Sequence, residues 1–548
     1  MFPKRLKKAV ICNTDEPVVQ TKYGRLRGLI TDGTYVFRGV RYAKARRFHM
    51  PEEQDTWEGI KNAISFAPVC PEESTPIAHD QYYVPHYHHM QNEDCQFLNI
   101  WTGTLDQNAK KPVMVWIHGG LFDTGSSIEL YAYDGEELSN FGDVVVVSVS
   151  HRLNILGYLD LSAYGEEYRY SGNSGTADLV AALEWIRDNI ISFGGDPDNV
   201  TLFGQSGGGQ KMAALLQTPA ADGLYHRIII ESGMSAEGHR PGYGKIDPSK
   251  GAAGNHNRLE DARILASYVL EELGLTPENV SGIEDLYYYE IARAGMAAKD
   301  RCRKEGIIAS WCPTFDNEYY LGDAMANGFR KETLDIPVII GSNLGEFSGN
   351  ATHSPADSPK NSWDPAFVEE LIERRFGENA KTAAEEFRKA YPDHPLCDLA
   401  LMDDEFRKGV MDFARIRYDA GSRALYTYMF SLEMPYLDGT LPWHNCEEAY
   451  VLHNAKYLEA SYIPEVSENM QDMMSGAWAA FARTGNPNHA GMPVWEPYDT
   501  DKKAIMIFDR VPEMRYGHDE KLIMLIPDRR MGGFHGKPQF GGGPRMVF

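Results

Sequence analysis

The chain has 548 residues, 43% of them hydrophobic and 24% charged, with a formal charge of −24 at pH 7. That length supports a large buried core, and the even mixture of polar and apolar residues excludes a fibrous or disordered polymer. The acidic balance sets the chain against nucleic acid or an anionic membrane surface as a partner.

No stretch approaches the roughly 18 apolar residues of a membrane span. The basic start around Lys4, Arg5, Lys7 and Lys8 is followed by an apolar run too short for an export signal, so the expected location is cytoplasmic. The seven cysteines (Cys12, Cys70, Cys95, Cys302, Cys312, Cys397 and Cys446) are scattered, without metal or redox spacing, and are expected as reduced thiols.

Residues 18–48 alternate apolar and polar with glycine punctuation, which predicts antiparallel hairpins at a sheet edge. Residues 66–92 are an aromatic loop carrying His86, His88 and His89; with no carboxylate or cysteine in register it reads as a pocket border, not a metal site. Pro112–Ile117 and Val144–Val149 have the length and β-branched content of strands buried on both faces. A helix follows over Asp178–Ile191, then a strand ending at Gly204-Gln205-Ser206-Gly207-Gly208, a helix over 210–216, and a strand over Arg227–Glu231. Strand and helix in alternation predict an α/β fold with right-handed crossovers.

A polar, glycine-rich loop is expected around 235–257. Helical insertions follow at about 258–330 and 363–420, separated by a strand at Ile336–Ile340. A further strand spans 424–430, a helix 468–484, and a mobile tail is expected over about 532–548. No repeat or linker divides residues 1–548, so one domain is expected.

Gly-x-Ser-x-Gly between a strand and a helix is the pattern of a strained turn that exposes a serine hydroxyl. Such a nucleophile needs a base and an acid, in the chain order Ser, acid, His, each just past a strand. Glu346 follows the 336–340 strand, and His444 follows the 424–430 strand. Ser206, Glu346 and His444 are therefore the candidate catalytic residues. No cofactor or metal is implied.

On these motifs the chain resembles the type-B carboxylesterase/lipase family of α/β hydrolases, which includes the cholinesterases and many bacterial carboxylesterases. Phe193–Gly208 is similar to the nucleophile motif of that family, Glu93–Trp101 to a second motif with Gln96 where leucine is usual, and Trp478–Pro487 to its C-terminal helix and turn. The resemblance implies an α/β-hydrolase fold: a large, mostly parallel sheet flanked by helices, with helical insertions over the active site. It implies a serine carboxylesterase that hydrolyses small, fairly apolar esters through an acyl-Ser206 intermediate. A lipase or an amide- or carbamate-cleaving hydrolase is the alternative, and a non-catalytic adhesion-type member the remote one.

The resemblance also favours His444 over His453 as the base. It assigns the oxyanion donors to the backbone N–H groups of Gly120, Leu121 and Gly207. The family usually has a third glycine where this chain has Leu121, whose side chain is expected to trim the acyl pocket. The stretch Tyr42–Phe48 is shorter than the family's proline-rich loop and is expected to alter the pocket rim. Cys70 and Cys95 match a pair bonded in secreted relatives and are expected here as neighbouring thiols. The natural ester and the oligomeric state are left open.

Overall fold

The computed structural model describes residues 10–72, 86–234, 256–347, 359–403 and 405–526, with backbone alone for 239–240 and 244–245. Strands β1 (Val10–Ile11), β2 (Leu29–Thr31), β3 (Thr34–Arg41), β4 (Phe97–Thr102), β5 (Lys111–Ile117) and β6 (Val145–Val149) open the main sheet. It continues with β7 (Gly195–Gln205), β8 (Arg227–Glu231), β9 (Val338–Asn343), β10 (Leu425–Phe430), β11 (Ala504–Phe508) and β12 (Glu513–Tyr516). The spatial order of the 12 strands is β1-β2-β3-β4-β6-β5-β7-β8-β9-β10-β11-β12. All pairings from β6 through β11 are parallel, while the pairings at both edges are antiparallel.

Alternation along each strand divides the core in two. Val113, Val115, Ile117, Val145, Val147, Leu202, Ile228 and Ile340 face one side, under helices α1 (Ser174–Asn189) and α2 (Gly207–Leu215). Met114, Trp116, Val146, Phe203, Ile229 and Ile339 face the other, where Trp478 and Phe481 of a long helix, Val466–Thr484, pack. Every one of these sheet residues is at most 1% exposed, so the sheet is covered on both faces as a parallel sheet requires.

Both insertions are helical. Leu259–Glu272 (α3) and Tyr288–Glu305 (α4) bury Leu265, Val269 and Ile291 against Leu153, Ile155 and Tyr158, in the segment after β6. Pro365–Phe376 (α5) and Ala380–Ala390 (α6) bury Leu371 and Phe387 against Met429, Ile505 and Ile507 of β10 and β11. The short stretch 42–48 is tied to the first insertion, because Arg47 pairs with Glu93 at 2.5 Å and donates to the carbonyl oxygens of Ile283 and Glu284 at 3.1 and 3.0 Å.

Several expected boundaries shift. The 336–340 strand begins at Val338 and runs to Asn343, and the 210–216 helix begins at Gly207, directly after Ser206. Strands β4, β11 and β12 were not anticipated. The expected mobile tail over about 532–548, and most of the 235–257 loop, lie outside the described residues. Cys70 and Cys95 are buried free thiols, and burial first and the neighbouring Cys70 second push the Cys95 thiol up. Among the described residues no helix is long and apolar enough to cross a membrane.

Candidate active site

Ser206 stands at the carboxyl end of β7 with φ 55° and ψ −122°, a strained conformation for a residue with a Cβ. Its flanking glycines are dictated by close approach: a Cβ on Gly204 or Gly208 would overlap the Ile117 carbonyl oxygen at the end of β5. Only glycine lets β5, the turn and α2 come this close, which is the physical content of the motif.

The loops after β9 and β10 deliver two more groups. His444 Nε2 lies 2.7 Å from Ser206 Oγ. The opposite ring nitrogen, Nδ1, is hydrogen-bonded to Glu346 Oε2. Glu346 also accepts from the Ser232 hydroxyl at 2.6 Å and from the Asn343 N–H at 2.7 Å. The loops are locked together, since the N–H groups of Gly345 and Glu346 both donate to Pro442 O at 3.1 Å. The Gln205 side chain and Asn343 Nδ2 both donate to the His444 carbonyl oxygen. Glu346 and Ser232 have φ values of 45° and 46°, so the strain of Ser206 is shared by its surroundings.

Beneath Glu346 lies a second buried acid. Ser232 Oγ is 2.6 Å from Glu346 Oε1 and 3.2 Å from Glu447 Oε1, and the other Glu447 oxygen accepts from Asn343. Burial, then the neighbouring Glu346 charge, pushes Glu447 up to about 8. Burial also drives Glu346 upward, opposed by its bonds from Ser232 and Asn343. With its additional bond to His444, Glu346 is the better-solvated member, so at neutral pH the proton resides on Glu447 and the charge on Glu346. The single Ser232 proton then points to Glu346, and the protonated Glu447 donates to Ser232 Oγ. Glu231 and Glu448 are also raised, by burial first and the neighbouring Glu447 second, and accept from Trp478 Nε1 at 2.7 Å and Tyr133 OH at 3.1 Å.

On the other side of Ser206, the loop after β5 turns at Gly120 (φ 80°) and Leu121 (φ 55°). A Cβ on Gly207 would overlap the Leu121 backbone, so the two segments touch. Among the described residues the N–H groups of Gly120 and Leu121 donate to no protein acceptor. Gly207 is the first residue of α2, where a helix offers its N–H groups outward. Three unpaired donors therefore border the Ser206 turn. Leu121 is 40% exposed and Phe347 52%, and the Phe347 and Phe406 rings lie 4.1 and 4.8 Å from that of His444.

The structure thus brings together Ser206, Glu346, His444, Gly120, Leu121 and Gly207, all at carboxyl ends of parallel strands or in the loops they feed. His453 is elsewhere, 2.8 Å from Asp472 and stacked on Phe141. His89 Nε2 is bonded to Ile128 O at 2.9 Å, and among the described residues no group of three His, Cys, Asp or Glu is arranged for a metal. Ser232, Asn343, Glu447 and Phe347 were missed in the sequence. Each lies within three positions of a strand end or a triad residue, and nothing but that proximity marks it.

The sheet, the serine turn and the loops after β9 and β10 define an α/β hydrolase. The chain belongs to the carboxylesterase family, whose model matches residues 15–522. It is 30% identical to the para-nitrobenzyl esterase of Bacillus subtilis over 93% of this chain and 99% of that one. Phenmedipham hydrolase of Pseudarthrobacter oxydans is likewise 30% identical, over 90% of this chain and 94% of its own. Among solved structures, an esterase of Clostridium hathewayi described as able to hydrolyse aliphatic aromatic polyesters superposes with a TM-score of 0.86. It is 43% identical over 95% of this chain and 99% of that one. The protein is a carboxylic ester hydrolase.

Proposed function

We propose that Ser206, His444 and Glu346 carry the hydrolysis, and that the N–H groups of Gly120, Leu121 and Gly207 bind the oxyanion. The observation that supports this most directly is the unbroken chain from Ser206 Oγ to His444 Nε2 at 2.7 Å and from His444 Nδ1 to Glu346. Ser206 Oγ attacks the ester carbonyl while His444 Nε2 takes its proton, and the carbonyl oxygen becomes an anion facing the three amides. Collapse breaks the C–O bond, and the alcohol leaves with the proton held by His444. Water then repeats the cycle on the acyl-serine, releasing the acid. Glu346 holds the Nδ1–H tautomer and stabilises the imidazolium.

The substrates are small, fairly apolar carboxylic esters. Leu121 and Phe347 supply exposed apolar surface beside the nucleophile, and Leu121 narrows the acyl side. The rings of Phe347 and Phe406 also suit an aromatic group in the ester, in keeping with the polyester activity described for the Clostridium hathewayi enzyme. We read the chain as one catalytic domain, since a single sheet uses strands from Val10 to Tyr516. A cytoplasmic setting agrees with seven free thiols.

The test is a panel of 4-nitrophenyl esters of increasing acyl length, with intact-mass analysis after an organophosphate, on wild type and Ser206→Ala. Turnover with one adduct, both lost in Ser206→Ala, is the expected result. Wild type without an adduct on Ser206, or Ser206→Ala with undiminished turnover, overturns the assignment.

A further inference from the structure

Lys211 is the fifth residue of α2 and only 1% exposed, yet among the described residues no carboxylate pairs with it. Its Nζ instead donates to two backbone carbonyl oxygens in the loop after β5, His118 O at 2.9 Å and Gly119 O at 3.1 Å. Gly119 O takes a second bond from His118 Nδ1 at 2.9 Å, which leaves His118 Nε2 without a partner.

A trans peptide is planar, so its carbonyl and its N–H point in opposite directions. Two donors fixed on Gly119 O therefore aim the Gly120 N–H the other way, out of the loop. The bond to His118 O fixes the next plane back in the same manner. The Gly119–Gly120 peptide needs this restraint, because a peptide between two glycines rotates at little steric cost and Gly120 already sits at φ 80°. We propose that Lys211 is a positioning residue for the oxyanion hole, holding the Gly119–Gly120 peptide with its N–H toward the reacting carbonyl and polarising that N–H through the peptide. The inference rests on the assignment of Ser206 and its hole made above.

Stability gives a separate argument. Burial lowers Lys211 to about 7, against weaker support from Glu129 and Cys70. The facing rings of His118 and His151 are themselves held neutral, by burial first and by Lys211 second. A lysine whose folded pKa lies below its free value destabilises the fold wherever the free chain would be protonated. A methionine of similar length would avoid that cost. The lysine is retained here at a site where its two hydrogen bonds fall on the peptides leading into the hole.

The experiment uses full-length wild type, Lys211→Met and Lys211→Gln, with thermal melting, steady-state kinetics on 4-nitrophenyl acetate, and organophosphate labelling. Lys211→Met is expected to melt within a few degrees of wild type, keep KM within about threefold, and lose about 100-fold in kcat, the scale of one lost oxyanion donor. Lys211→Gln, with one amide donor, recovers about tenfold of that loss. The role of Lys211 is overturned by a Met variant with kcat within about threefold of wild type, by a rise in KM that accounts for the whole loss, or by a Gln variant no better than Met. Should the Met chain not fold, Lys211→Gln decides alone: a tenfold loss in kcat supports the role, and a change below about threefold overturns it. Wild type unlabelled at Ser206 would instead remove the underlying assignment.

Discussion

Leu121 lies with its backbone against Gly207, at φ 55°, so close that a Cβ on residue 207 would overlap Leu121 N, Cα and O. Two consequences follow from that contact. Gly207→Ala pushes the two amides apart and is expected to cut kcat by about 100-fold. Leu121→Gly keeps the amide, relieves about 1–2 kcal/mol of left-handed strain, and opens the acyl side. Its expected signature is a raised kcat/KM for butyrate and longer 4-nitrophenyl esters relative to acetate. An unchanged acyl-length profile would show that the side chain does not border the acyl group.

The two buried acids near His444 are expected to behave oppositely on amide replacement. Glu346→Gln removes the charge beside His444 and should lower kcat by about 10³ to 10⁴. Glu447→Gln replaces a group already protonated at pH 7 and should stay within about fivefold of wild type. The pH dependence follows from Glu447 being raised from 4.5 to about 8. Its contribution to stability is fully present below the unfolded value and is lost as pH rises through about 8. Glu447→Gln cannot ionise, so its melting temperature relative to wild type should increase between pH 6 and pH 9. A difference that does not change with pH would place the proton elsewhere.

The buried strands β5 and β6 were legible because their β-branched runs have no other good use in a soluble protein. The meeting of Ser206, Glu346 and His444 was legible because the three residues fell in that order after strands. The start of α2 was read three residues late, since Gly207-Gly208-Gly209 has poor helix propensity. Packing overrides propensity there: a Cβ at Gly208 would strike Ile117 O, and one at Gly209 would come within 2.8 Å of the Gly233 Cα. Strands β4 and β11 were missed because Phe97–Thr102 carries Asn99, whose partner Ser148 lies 3.1 Å away on β6, and Ala504–Phe508 is short and lacks a run of β-branched residues. Glu447 and Lys211 were illegible for a different reason. A buried titratable group has no local sequence mark; its partners come from segments 92 to 215 residues away.

Gln96, the departure from the usual leucine of its motif, illustrates the same point. Its amide reaches Asp178 Oδ2 only at 3.4 Å, and its own carbonyl oxygen is buried without a partner. Asp178 is already satisfied by Arg152, through the backbone N–H at 3.0 Å, Nε at 2.8 Å and the guanidinium NH2 at 2.7 Å. Gln96→Leu is therefore expected to be neutral or to stabilise by about 1 kcal/mol. Asp178→Ala leaves the Arg152 charge buried and should cost about 3–5 kcal/mol in chemical denaturation. A Gln96→Leu cost as large as that of Asp178→Ala would mean the glutamine bond matters more than its length allows.

His394 ties the second helical insertion to the end of β11. Its Nδ1 is 2.8 Å from Asp398 Oδ2 and its Nε2 3.0 Å from Asp509 Oδ2, just beyond β11. Burial disfavours the charged ring, but the two carboxylates outweigh it and raise His394 from 6.5 to about 9. The stabilisation is thus fully present below pH 6.5 and lost as pH rises through about 9, on the order of 3 kcal/mol in total. Unfolding in urea should show wild type more stable than His394→Gln by that order at pH 6, with the gap closing by pH 9.5. Because the ring nitrogens of His394 bond to Asp398 and Asp509 and not to Ser206, Glu346 or His444, kcat at pH 7 should be unaltered in the folded variant. A stability gap that persists at pH 9.5 would mean that His394 acts through packing and not through its charge.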